Sequence, residues 1–142
     1  MLKGIDPLLT PRLLRWLAEM GHGDVLAIVD RNFPAHSCGS RVVDLPGADT
    51  TLAARAVLGL FPVDTFQGPA AMHMLPVDGR SAGPALPDFQ TVLDAAEGRP
   101  VEVGGLERFE FYRRTREAYC VIATTDPRPY ACYLIIKGVV TG

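Results

Sequence analysis

Apolar strands interleaved with helices predict an α/β domain, with helices packed on a mainly parallel sheet. Three stretches carry that prediction. "VLAIV" (Val25–Val29) is apolar throughout instead of alternating, the pattern of a strand buried on both faces. "TPRLLRWLAEMG" comes just before it, with helix punctuation at both ends. Near the C-terminus, "YCVIATT" and "YACYLIIKGVV" supply two further strands.

Taken in order, the first helix has Thr10 as a possible N-cap and Pro11 where a missing N–H costs nothing. Gly21 can supply its left-handed stop. Leu13, Leu14, Leu17 and Met20 share one face at helical spacing. A second helix starts near Thr50 and runs through "TLAARAVLGLF". "AAMHML", around His73, is a short strand. "LPDFQTVLDAAEG" is a helix with Pro87 near its start and Gly98 at its end. "GLERFEFYRRTREA" is another, with Phe109, Tyr112 and Arg116 roughly aligned. "DPRP" makes the turn between the last two strands. The Pro/Gly-rich "LPVDGRSAGPALP" reads as a surface loop, since neither side makes a domain alone. The expectation is one domain over residues 1–142.

Composition narrows the function. With 48% hydrophobic and 21% charged residues the chain is globular. A formal net charge of −2 leaves no basic footprint for nucleic acid. Arg12, Arg15, Arg113, Arg114 and Arg116 form local clusters that read as solvated helix faces. No segment has the length of a membrane span, and the N-terminus lacks the pattern of a signal peptide. Cys38, Cys120 and Cys132 are odd in number and lack metal-type spacing, which fits free thiols in a reducing cytoplasm.

Candidate chemistry gathers around the first strand, in "EMGHGDVLAIVDRNFPAHS". His22 lies between Gly21 and Gly23, and an imidazole ordinarily titrates near neutrality, as proton transfer requires. It also fits a helix-end histidine facing the last carbonyls. Asp30 follows the strand, where ligands of α/β folds collect; on the residues alone, a turn former or N-cap is the leading reading. His36 is a ligand group or a loop residue. Gly21 and Gly23 lack the spacing of a phosphate loop. No tight ligand pair makes His22, Asp30 and His36 a metal set, and Ser37 and Cys38 lack an activating context as nucleophiles. Arg108 offers a fork of donors to an oxygen-rich ligand or to a structural carboxylate. Tyr130 suits a pocket wall or the core.

Together these segments resemble the fucose mutarotase and ribose pyranase family of small cytosolic sugar isomerases over nearly the whole chain. "MLKGIDPLLTPRLLRWLAEMGHGD" resembles its N-terminal block, and "VDRNFPAHS" its D-x-x-F-P-A-H-S segment. "RFEFYRR" and "YACYLIIKGVV" resemble its R-F-x-F-Y block and its closing segment, favouring the fucose-type branch. The resemblance implies that His22 is the proton donor and that Asp30, Arg108, Tyr130, Ala131 and Cys132 bind the sugar. It implies no cofactor and no metal. The expected assembly is a decameric ring with pockets completed by neighbouring subunits. Cys132 stands where the family usually has asparagine, and a thiol lacks a carboxamide's paired donor and acceptor. Asn32 stands where a histidine is common.

The implied reaction opens a cyclic hemiacetal and recloses it on the other face by general acid–base transfer, with Tyr130 or water as the second proton carrier. L-fucose is the expected substrate. Ribose pyranase activity, a non-catalytic sugar-binding ring and a purely structural protein are the rivals, in that order. On this reading His22 and Asp30 stand at one edge of a single sugar pocket.

Overall fold

Among its described residues, 1–79 and 81–142, the computed structural model holds five helices and six strands. The helices are α1 (Pro11–Glu19), α2 (Ala35–Cys38), α3 (Thr50–Leu58), α4 (Leu86–Glu97) and α5 (Arg108–Arg116). The strands are β1 (Val25–Val29), β2 (Val42–Leu45), β3 (Ala71–Met74), β4 (Val103–Leu106), β5 (Cys120–Thr124) and β6 (Tyr133–Ile136). They form one sheet in the order β2-β5-β1-β6-β3-β4. Pairings β2–β5, β5–β1 and β3–β4 are parallel, and only β6 runs against its neighbours β1 and β3. The predicted mainly parallel sheet with covering helices is present.

Alternation along β1 shows why its uniform apolarity was needed. Leu26 and Ile28 join a cluster with Leu13, Leu17, Phe89 and Tyr133, while Ala27 and Val29 join Met74, Phe111, Cys132 and Leu134 on the other side. Both faces are buried.

Local chemistry sets the helix ends, not always as expected. Thr10 caps α1, its hydroxyl accepting the Leu13 N–H at 3.2 Å, with Pro11 next. Gly21 does not stop this helix: it ends at Glu19 with Met20 extended. Lys137 takes over the role, its ammonium donating to the carbonyls of Leu17 (2.8 Å) and Met20. The positive φ of this region belongs to Gly23, at +89°. Gly98 does close α4 in the left-handed conformation. The helix from Thr50 stops at Leu58, before the predicted Phe61. Gly105 and Leu106, predicted as the start of a helix, lie in β4, and Glu107 caps α5 by accepting the N–H groups of Phe109 and Glu110.

At the carboxyl end of β5, Asp126 is wholly buried. It accepts the Thr50 N–H (2.9 Å) and hydroxyl (2.7 Å) and pairs with Arg128 at 2.8 Å. Burial pushes its carboxyl up, but the Arg128 and Thr50 donors outweigh this and hold it far below the usual carboxylate range. The start of α3 is thereby pinned to the loop before β6. No helix among the described residues is long and apolar enough to cross a membrane.

Candidate active site

A cleft of about 250 Å³ opens outside the carboxyl ends of β1, β3 and β4, where β6 begins. Its floor is made of buried Asp30, Met74 and Cys132. Half-buried Phe33, Tyr112 and Tyr130 form the walls, and exposed Asn32, Arg108 and Pro129 the rim. Of the predicted binding residues, Asp30, Arg108, Tyr130 and Cys132 therefore come together here. Ala131 is fully buried between the last two, but its side chain joins the core cluster on the opposite face from Cys132 and does not line the cleft.

Asp30 is 8% exposed, and one carboxylate oxygen accepts the N–H groups of Asn32 (2.9 Å) and Phe33 (3.0 Å). Burial raises its pKa above the ordinary aspartate value, opposed by those donors and by the neighbouring Cys132 thiol. Burial, with the nearby Asp30 charge, lifts the Cys132 thiol well above its usual value, so it stays neutral near pH 7. Burial raises the Tyr112 phenol, while the Arg108 cation pulls it down. Arg108 lies over the Phe109 ring at 4.6 Å and has no carboxylate partner among the described residues, which leaves its donors for a ligand.

Tyr130 has φ of +59°, a left-handed conformation that costs a bulky residue about 1–2 kcal/mol. The loop read from sequence as mere surface holds it: a Cβ on Gly83 would lie 3.1 Å from the Tyr130 Cβ and 3.2 Å from the Pro129 and Tyr130 carbonyl oxygens. A Cβ at those distances is crowded, so glycine lets the two loops meet without displacing either.

His22 is elsewhere. Its turn is held by the Asp24 carboxylate, which accepts the Gly21 N–H at 2.7 Å, and by the Gly23 N–H donating to Lys137 at 2.9 Å. This turn precedes β1, whereas Asp30 follows it. The extended run from Asp24 to Asp30 spans about 20 Å. The expectation that His22 and Asp30 edge one pocket is thus not met within a single chain, because the strand that supports both also separates them.

At its own end His22 has a partner that sequence reasoning missed. Nε2 lies 3.0 Å from Oδ1 of Asp64, with the imidazole 46% exposed and the carboxylate 1%. Burial raises Asp64, but the Phe66 N–H, the His22 ring and the Thr65 N–H outweigh it and leave its pKa below the ordinary value. Its Oδ2 is buried without a hydrogen-bond partner among the described residues. The Phe66 ring, largely exposed, stands 5.1 Å from the imidazole at 55°. An imidazole half open to solvent and held by a buried carboxylate is built to take and return protons.

His36 is not part of either group. It pairs on the surface with Asp44 at 3.0 Å, and Ser37 and Cys38 share its short helix α2. Among the described residues, no three His, Cys, Asp or Glu side chains converge as a metal set.

Fold and cleft define a class: a small α/β protein whose candidate ligand site lies outside the carboxyl ends of its strands. Within that class, the chain belongs to the RbsD / FucU transport protein family, which matches residues 3–140. An L-fucose mutarotase of Haemophilus influenzae is 37% identical over 140 residues, 98% of this chain and 97% of the relative. FucU from Bifidobacterium longum is 40% identical, with a TM-score of 0.93 over 98% of this chain and all of that one. The fucose mutarotase of Streptococcus pneumoniae, solved in complex with L-fucose, is 29% identical, with a TM-score of 0.92 over 99% and 100% of the two chains.

Proposed function

We propose that the chain is a cofactor-independent monosaccharide mutarotase acting on L-fucose, the sugar of its mutarotase relatives. The observation that carries the reading is the His22–Asp64 pair: a solvent-reachable imidazole whose proton a buried carboxylate steadies. Mutarotation needs only such a group. The anomeric hydroxyl loses its proton, the bond from C1 to the ring oxygen breaks, and that oxygen takes a proton. Rotation about C1–C2 turns the aldehyde over, and closure reverses both transfers. A positioned acid–base group contributes about 10²–10⁴-fold. Asp30 and Arg108 hold hydroxyls, Tyr130 and Cys132 shape the cleft, and Tyr130 or water carries the second proton.

His22 and Asp30 serve one sugar only if they come from two copies, the cleft of one meeting the His22 end of the next. The ring assembly implied by the family resemblance supplies that arrangement, as a homodecamer. Three free cysteines accord with a cytoplasmic location. Ribose pyranase activity uses the same ring opening, and a cleft of this size also admits a pentose.

The test is NMR magnetisation exchange between the anomers of L-fucose, with D-ribose alongside. His22→Ala and Asp30→Asn each abolish acceleration alone, while subunits of both mixed in equal amounts regain about one quarter of wild-type activity, the share of pockets that draw an intact half from each. Wild-type exchange by His22→Ala sinks the acid–base role. Absence of recovery on mixing sinks the shared pocket.

A further inference from the structure

We infer that Met74 and Cys132 make the cleft selective for 6-deoxyhexoses over sugars carrying a hydroxymethyl group at that position; the inference rests on the mutarotase reading. Among the described residues, three that line the cleft are buried, and two of them are sulfur side chains. Met74 ends β3 directly across from the residue before β6, its N–H donating to the Cys132 carbonyl at 3.1 Å. Continuing the antiparallel register from His73–Tyr133 makes Met74 and Cys132 a cross-strand pair on one face. Both belong to the same apolar cluster as Val29, Phe111 and Leu134.

The third floor member is the buried Asp30 carboxylate, one oxygen of which already accepts the Asn32 and Phe33 N–H groups. That leaves the floor next to Asp30 with a thioether and a thiol, both weak hydrogen-bonding groups. A sugar that gives one hydroxyl to Asp30 lays a neighbouring carbon over these sulfurs. A methyl group matches them. A hydroxymethyl group loses water there and gains no comparable partner. The strong polar groups, Arg108 and the two tyrosines, stand higher in the cleft, at the wall and rim, where the remaining hydroxyls meet them.

Three sugars isolate the contribution. L-Galactose is L-fucose with a hydroxyl added at C6, and D-arabinopyranose is the same ring with the methyl removed. In anomer-exchange measurements the expected order places L-fucose above L-galactose by about 10- to 100-fold in kcat/KM, and above D-arabinose by about 10-fold. Cys132→Asn and Met74→Gln, which each place a carboxamide on the floor, bring the fucose-to-galactose ratio to within about threefold of unity. The ratio cancels any general loss of activity in either variant. A wild-type ratio near one, or one unmoved in both variants, overturns the inference while leaving the mutarotase reading intact. No acceleration of L-fucose by the wild type overturns both.

Discussion

Replacing Asp64 by asparagine keeps the size of the side chain and removes its charge. The carboxamide oxygen still accepts the Phe66 N–H, which Oδ1 receives at 3.2 Å, so the loop that carries Phe66 stays in place. What changes is the bond to His22, now 3.0 Å from a charged oxygen. A charge-assisted hydrogen bond contributes about 1.5–3 kcal/mol and a neutral one about 1 kcal/mol. The difference, about 0.5–2 kcal/mol, falls on the state in which the imidazole carries the extra proton, and it amounts to a loss in kcat of about 2- to 30-fold. The proposed sugar contacts are on Asp30 and its neighbours, so the expected change in KM for L-fucose is no more than about twofold. Anomer exchange measured at several sugar concentrations separates the two constants. An Asp64→Asn enzyme within about twofold of wild-type kcat refutes the claim that Asp64 steadies the transferred proton. A change confined to KM refutes it equally, by putting Asp64 in the business of binding.

Other outcomes follow from the same geometry. Arg128→Ala leaves the buried Asp126 carboxylate without its ion-pair partner and costs about 3 kcal/mol in urea unfolding. The folded Asp126 pKa is depressed, so its contribution is present above the ordinary carboxylate pKa and is lost as pH falls below it; wild type weakens below about pH 4, and Asp126→Asn shows a flatter acid limb in the same experiment. Gly83→Ala drives a methyl to 3.1 Å from the Tyr130 Cβ, raising KM for the sugar several-fold with little change in melting temperature. Tyr130→Gly relieves the left-handed strain of about 1–2 kcal/mol, so stability holds or rises while sugar affinity drops; a fall in both places Tyr130 in the core instead.

The sequence made the periodic parts of this fold readable and hid the parts that depend on close contact. β1 announced itself because five apolar residues in a row leave no face for water. β4 did not, since "VGGL" has weak strand propensity. Its glycines are there for neighbours instead: a Cβ at Gly104 or Gly105 would meet Pro69 or Leu75 at 2.7 Å. β2, four residues with one side exposed, and α2, a single turn, are too short for periodicity to register. The stop of α1 was assigned to the nearest glycine, but a lysine from the far end of the chain supplies it. That Asp30, Arg108, Tyr130 and Cys132 share one cleft was legible through the family segments that hold them. Asp64 was not, because 42 residues separate it from His22 and nothing in "FPVDTF" marks a partner. Closeness in sequence also misled: His22 and Asp30 flank one strand, and a strand is a spacer.

On the proposed shared pocket, that spacer makes the sugar an assembly ligand. A molecule held by Asp30 of one chain and His22 of another binds the joined pair and neither chain alone, so mass action ties occupancy to association. Saturating sugar at 100 times its Kd favours each such junction by about 2.7 kcal/mol, lowering the concentration at which the assembly comes apart by about 100-fold. Dilution then extinguishes turnover before it unfolds the chains, and the substrate itself postpones that loss.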